Sequence, residues 1–393
     1  MPEGNKGTAV CHFFAREWVK MGYGVRVVHI QATFPRFFYW LAKMARNRIA
    51  AKTGSVVYTH RDSKTVHYEM DGVPVSRVPV FKPMPHGSYS RKSIRKTVEE
   101  IVRENTANDF TPDVIIGHFP NPQIELLSLL KKEYNEAKTC CVMHGDINIM
   151  KRVYGERLSQ LMQDIDVWGF RSKTVKEEFE KAAGKVNKAF ICYSGIPKKY
   201  ITTENVHRFD KQMHSFVYVG EMIERKYPEK VVEALHKTYP SGDFHLTYIG
   251  AGHLLDLIRE KVSDNRLQTQ VEIKGRIPRD QIVAEYDKAD CMVMISRGEA
   301  YGLVYLEAMA RGCITIASKR EGFDGVIVDG ENGFLCKAGD AVELSSIIKR
   351  INALTPVERQ QISENAIATA KRLTDYKAAK MYIDDVILDN EQK

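Results

Sequence analysis

Short β-branched and aliphatic runs alternate with longer amphipathic stretches along the whole chain, and this limits the fold more than any other feature. Residues 25–30 (VRVVHI), 113–118 (DVIIGH), 139–144 (TCCVMH) and 166–170 (DVWGF) read as buried strands. So do 215–220 (SFVYVG), 244–250 (FHLTYIG), 270–275 (QVEIKG), 290–296 (DCMVMIS) and 313–318 (CITIAS). Helical patterns such as AVCHFFAREWVKMG, PEKVVEALHKTY and EAYGLVYLEAMARG lie between them. Apolar strands joined by helical crossovers form parallel sheets covered by helices, so the class is α/β with two Rossmann-like halves. A chain of 393 residues is also long for one core. The polar stretch 200–213 breaks the pattern and places a boundary there. It gives an N-terminal domain over 1–205, a C-terminal domain over 206–372, and a final helix over 373–393 expected to pack back toward the first domain.

The net charge of +8 is unevenly spread. Residues 1–200 carry 32 Lys/Arg against 20 Asp/Glu, and the rest carry 26 against 30. A basic first half suits an anionic partner, either a membrane surface or a phosphorylated acceptor. No nucleic-acid motif accompanies the charge, and no nucleic-acid partner is expected. The seven cysteines form no CxxC pair, and several sit in apolar runs, as reduced buried thiols do. No secretory signal or membrane-spanning run is apparent, so the expected place is the cytoplasm. No His/Cys cluster has metal-ligand spacing, and no metal or other cofactor is expected.

The most informative stretch is ISRGEAYGLVYLEAMARGCITIAS, residues 295–318. A strand runs into a turn containing Gly298 and Gly302, and a helix is expected from Leu303 to Gly312, a residue type that ends helices in the left-handed conformation. The backbone N–H groups of Tyr301, Gly302 and Leu303 would then point out of a helix N-terminus at the carboxyl edge of a parallel sheet, a ready diphosphate cradle. Glu299 precedes that cradle. Glu307 lies in the first two turns, where an acid can reach ribose hydroxyls.

Two glutamates in E-x7-E, then A-M-A-x-G and D-G-E-N-G-F-L (329–335), resemble the retaining glycosyltransferases of family 4. The resemblance implies the GT-B fold, two facing Rossmann domains with an interdomain cleft and the donor on the C-terminal one. It implies transfer with retention from a nucleotide-diphosphate sugar to a glycan or polyprenyl-lipid-linked acceptor, in cell-surface polysaccharide synthesis. Lys226 matches a lysine that grips the donor phosphates, while Glu221 stands where relatives carry arginine and Arg225 is the candidate substitute. IGAGHL, with Gly252, resembles the family's glycine-rich loop, and Arg276 and Ile277 fall where relatives contact the base. Position 296 keeps the family's serine, whereas Ile295 replaces the usual proline. By the same resemblance Glu299 holds sugar hydroxyls, Glu307 holds ribose and His144 lines the reactive carbon. EGNKGTAV, with Gly7, resembles the loop that closes over the donor phosphate. Two rivals remain open, a GT-B nucleotide-sugar epimerase and a non-catalytic partner protein made thinkable by Glu221.

Two expectations concern the first half. Residues 36–52 hold five Lys/Arg and no acid. Phe37, Phe38, Leu41, Met44, Ala45 and Ile49 share one helical face, and Arg36, Lys43 and Arg46 lie opposite. The segment 35–52 suits either an anionic membrane interface, giving peripheral attachment to the inner membrane face, or packing on its own domain. A Rossmann half should also open with a strand running into its glycine loop. Here the sequence starts MPEGNKG, already in that loop, so the first strand is expected to be missing, with a gap in the N-terminal sheet or a disordered 1–7.

Overall fold

The computed structural model describes residues 10–53, 64–85, 87–145 and 147–388, without the side chains of 45–53. The chain divides into two compact units. One comprises Met1–Arg171, Val175–Tyr193 and Ala378–Lys393, and the other Ser172–Thr174 and Ser194–Lys377. The main division falls ahead of the polar stretch 200–213, and the helix Asp375–Ile387 starts in the second unit and ends in the first.

The second unit carries six parallel strands, each followed by a helix or turn that returns the chain to the same edge. In spatial order they are Val271–Gly275, His245–Ile249, Ser215–Val219, Cys291–Val293, Ile314–Ser318 and Phe334–Cys336. By chain order this is 3-2-1-4-5-6, the doubly wound arrangement. Its switch point lies between Ser215–Val219 and Cys291–Val293, where the crossovers leave in opposite directions and open a crevice at the carboxyl ends. The central strands are apolar on both sides and fully buried, which is why they read as continuous hydrophobic runs.

In the first unit the described residues form two separate sheets. Val114–His118, Lys138–Met143, Val167–Phe170 and Ala189–Ile191 are parallel neighbours in that order. The other sheet pairs Val27–Thr33 in parallel with Val73–Phe81, which in turn pairs antiparallel with Val66–Met70. That hairpin adds an antiparallel strand to the parallel sheets expected from the sequence. Asp71 and Gly72, both at positive φ, make its two-residue turn. The helix Val10–Lys20 serves both sheets. Phe14 and Trp18 pack with Val142, Val167 and Tyr382, while Ala15 packs on Val73 and Val75. Residues 1–9, including Gly7 and the glycine loop around it, lie outside the described residues.

Candidate active site

The site of the second unit grows from the two loops at its switch point. The loop after Ser215–Val219 brings Arg225 and Lys226 on a short 3-10 turn, Glu224–Lys226. The loop after Cys291–Val293 brings Glu299. A hydrogen bond of 2.6 Å from Arg297 N–H to the Arg225 carbonyl ties them together. Lys226 Nζ stands 3.2 Å from Glu299 Oε2 and Arg225 3.7 Å from the same oxygen. Lys226 and Glu299 are both largely buried, at 13% and 14% exposed, whereas Arg225 is 44% exposed. The Glu299 backbone is fixed as well, its N–H donating to Glu321 and its carbonyl accepting from Gly322 N–H.

Glu299 leads into the helix Leu303–Arg311, which starts and stops where its glycines require. Gly302 caps the start at φ 87 and Gly312 the end at φ 90, both left-handed. A Cβ on Gly302 would also come within 2.4 Å of the Tyr305 ring. Tyr305 in turn donates to the Met294 carbonyl and contacts Ser296, so Ser296 is a buried brace between strand end and helix. Tyr301 is buried and donates to the Ser194 carbonyl. The helix opens at the carboxyl edge of the sheet with its first N–H groups unsatisfied by the helix itself. Two cations, a carboxylate and a helix N-terminus therefore converge on one crevice.

Glu307 sits one layer deeper, 4% exposed. Arg279 holds it, Nε donating at 2.7 Å to Oε1, and the guanidinium lies over the Tyr200 ring at 5.4 Å. Burial pushes the Glu307 pKa up and the Arg279 charge pulls it partly back. Arg276 is exposed, and its guanidinium lies 3.6 Å from Glu221, so the acid that replaces the family's arginine has a cation of its own. Ile277 is half-buried beside it. Gly250 and Gly252 allow the loop after His245–Ile249 to lie directly on residues 220–222. A Cβ on Gly252 would be 2.2 Å from the Met222 carbonyl oxygen.

In the first unit His144 follows the strand Lys138–Met143. It stacks on Phe119 with ring centroids 3.9 Å apart, and its Nε2 lies 3.0 Å from Nδ1 of His118. Sequence reasoning missed Arg279, Glu321, His118 and Tyr382, which lies 3.1 Å from His118. Arg279 sits three residues after Arg276 with nothing to mark it, and Tyr382 is 264 residues from its partner. Among the described residues no group of three His, Cys, Asp or Glu side chains is placed as metal ligands would be. None of the described helices is long and apolar enough to cross a membrane.

The fold recurs in solved proteins. The chain superposes on HepE of Anabaena, solved in complex with UDP, with a TM-score of 0.65 at 16% identity, covering 92% of this chain and 99% of that one. It superposes on the sucrose-phosphate synthase of Thermosynechococcus elongatus with a TM-score of 0.62 at 17% identity, covering 92% and 97%. The fold is GT-B, built of two Rossmann-like units.

The family model of glycosyl transferases group 1 matches residues 201–369. Over 280 residues the chain is 30% identical to the N-acetyl-alpha-D-glucosaminyl L-malate synthase of Bacillus anthracis, covering 68% of this chain and 70% of that protein. Over 362 residues it is 24% identical to the amylovoran biosynthesis glycosyltransferase AmsK of Erwinia amylovora, covering 87% and 86%. The chain belongs to the glycosyl transferases group 1, and it is a glycosyltransferase.

Proposed function

We propose that this enzyme transfers a sugar from a nucleotide-diphosphate sugar to a glycan or lipid-linked acceptor in polysaccharide assembly, with retention and without a metal ion. The observation that carries the reading is the Lys226–Glu299 pair beside the helix N-terminus at the switch point. A departing diphosphate gains negative charge as its bond to the sugar breaks, and Lys226, Arg225 and the helix N–H groups are preorganised to receive it. Glu299 is freed from Lys226 as the lysine turns to phosphate, and it takes the sugar hydroxyls. Glu307 keeps Arg279 on one oxygen and offers the other to ribose. The acceptor oxygen bonds to the anomeric carbon on the face the phosphate leaves, and its proton passes to the departing phosphate oxygen. UDP in the HepE complex makes uracil the first base to try.

The test is release of nucleotide from a panel of sugar nucleotides, with and without glycan or lipid acceptors, in the presence of a chelator. Acceptor-dependent release that survives chelation is expected. Release without acceptor indicates the epimerase, and no release indicates a non-catalytic protein. In the same assay Glu307→Gln should weaken binding of free UDP by about 1–3 kcal/mol, the worth of a charged hydrogen bond. Glu299→Gln should spare UDP binding and lower turnover. Equal losses of UDP affinity would contradict the division of labour.

The helix Arg36–Thr53 supports peripheral membrane attachment at the cytoplasmic face. Tyr39 and Ala42 turn inward, while Phe37, Trp40, Leu41 and Met44 are 56%, 63%, 44% and 72% exposed. Their i, i+3, i+4, i+7 spacing makes one apolar stripe facing solvent, with Trp40 in it and Phe38 half-buried, and exposed Arg36 and Lys43 flank it. Apolar residues of this kind sink into the headgroup boundary while the cations meet anionic lipid. Co-sedimentation with vesicles containing anionic lipid is expected, and it should fall at least tenfold in a Phe37/Trp40/Met44 triple alanine variant that keeps its melting temperature. Equal sedimentation of both proteins would remove the proposal.

A further inference from the structure

His118 and His144 stand at the ends of neighbouring parallel strands. The nitrogen of His118 that does not face His144 lies 3.1 Å from the Tyr382 hydroxyl. Tyr382 is 1% exposed, on the helix Asp375–Ile387. Its ring is packed edge-on against Phe14 at 5.0 Å and Trp18 at 5.2 Å. Trp18 Nε1 donates to the Ala379 carbonyl at 2.8 Å and pins the helix in place. Phe119 covers one face of His144 from a left-handed backbone, φ 69. That conformation is rare for a large side chain and is kept only where the surroundings impose it. Three polar groups thus form one chain, with its far end on the last helix and its near end at His144.

Burial holds both imidazoles neutral at ordinary pH, His118 at about 3 and His144 at about 2, with the nearby Arg171 charge acting in the same direction. Each ring then carries one proton, and its position decides what His144 offers. A buried phenol must donate its hydrogen. Around Tyr382 the acceptors are His118 Nε2 and the Cys140 thiol, and an imidazole nitrogen is the stronger of the two. Donation to Nε2 of His118 places that ring's proton on Nδ1. The Nδ1–H then donates to Nε2 of His144 across 3.0 Å, which leaves the His144 proton on its own Nδ1.

We infer that Tyr382 and His118 are positioning residues that fix His144 as the Nδ1–H tautomer, so that His144 presents a hydrogen-bond donor, not an acceptor, to a ligand oxygen. Among the described residues Nδ1 of His144 has no partner, so its hydrogen is available to a ligand. The identity of that ligand rests on the transferase reading, whereas the tautomer belongs to the free protein. In this arrangement His144 neither takes nor gives a proton during transfer. The helix Asp375–Ile387 sets the polarity of His144 through two hydrogen bonds.

Two-bond proton–nitrogen spectra of the full chain, labelled with nitrogen-15 histidine at neutral pH, test this without substrate. The expected wild-type pattern has both His118 and His144 protonated on Nδ1. Tyr382→Phe removes the donor and keeps the ring, and it should give mixed tautomers at both histidines. The same variant should lower kcat roughly tenfold, the worth of one hydrogen bond, with the donor KM within twofold. A His144 protonated on Nε2 in the wild type overturns the proposal even if the variant does not fold, and so does a tautomer unchanged by Tyr382→Phe. The expected spectra together with no turnover on any donor would instead count against the transferase reading and leave the relay standing.

Discussion

Lys226→Ala is expected to lower kcat by about 10²- to 10³-fold, the usual cost of removing one preorganised group that meets developing charge. Lys226 is the better buried of the two cations, at 13% against 44% exposure for Arg225. Water and salt screen the exposed guanidinium, so Arg225 recovers little of the loss. The variant also leaves Glu299 with a buried oxygen and only Arg225 beside it, at 3.7 Å. A carboxylate stranded in that position repels the donor diphosphate, so UDP affinity should fall together with kcat. Lys226→Arg keeps the charge and should recover most of the affinity, with a smaller recovery of kcat because the planar guanidinium cannot occupy the ammonium position. Steady-state kinetics with UDP calorimetry on both variants make the check. A kcat within threefold of wild type for Lys226→Ala would show that the diphosphate leaves against some other group.

The same pair shows how far the sequence could be read. All nine strands expected from their apolar runs are present, and the central ones, such as Cys291–Val293 and Ile314–Ser318, announce themselves because burial on both faces leaves little room for polar side chains. The helix Leu303–Arg311 was legible to the residue, since left-handed glycines mark both ends. Four strands escaped. Val73–Phe81 holds Pro74 and Pro79, which argue against a paired interior strand, yet it is paired on both sides. Val66–Met70 is an exposed edge rich in polar residues, and Ala189–Ile191 and Phe334–Cys336 span three residues each. Such pieces are specified by their neighbours, not by a period of their own. The site follows the same division. Glu299, Lys226 and the glycines belong to one local motif each, whereas Arg279 on Glu307 and Tyr382 on His118 are contacts that only the folded chain brings together. A charge that neutralises a buried acid carries no local signature, and Glu221 read as a warning because its partner Arg276 was out of sight.

The glycine loop at 249–254 gives the second large effect, in Gly250→Ala. Gly250 has φ 142, and a Cβ built there would stand 1.8 Å from the Gly220 carbonyl oxygen. Neither atom has room to yield. Gly220 N–H donates to the Ile249 carbonyl, Gly250 N–H to the Gly275 carbonyl, and Met222 N–H to the Ala251 carbonyl, so three strand ends are laced together at this point. A methyl group must either break that lacing or push residues 220–222 off the sheet, and the displaced segment runs directly into Arg225 and Lys226. Left-handed strain of about 1–3 kcal/mol and overpacking of similar size together predict destabilisation of roughly 3 kcal/mol or more. At about 2–4 °C per kcal/mol for a unit of this size, the melting temperature should drop by roughly 10 °C. Gly330→Ala supplies the control, since Gly330 has φ 83 with nothing within 4 Å of its added Cβ. That variant bears the strain without the collision, and should lose only about 1 kcal/mol and keep its affinity for UDP. Thermal unfolding and UDP titration of the two variants separate sterics from strain. Equal shifts in both would mean that the loop yields around Gly250, and that the packing of Gly250 on Gly220 does not hold the phosphate-binding residues in place.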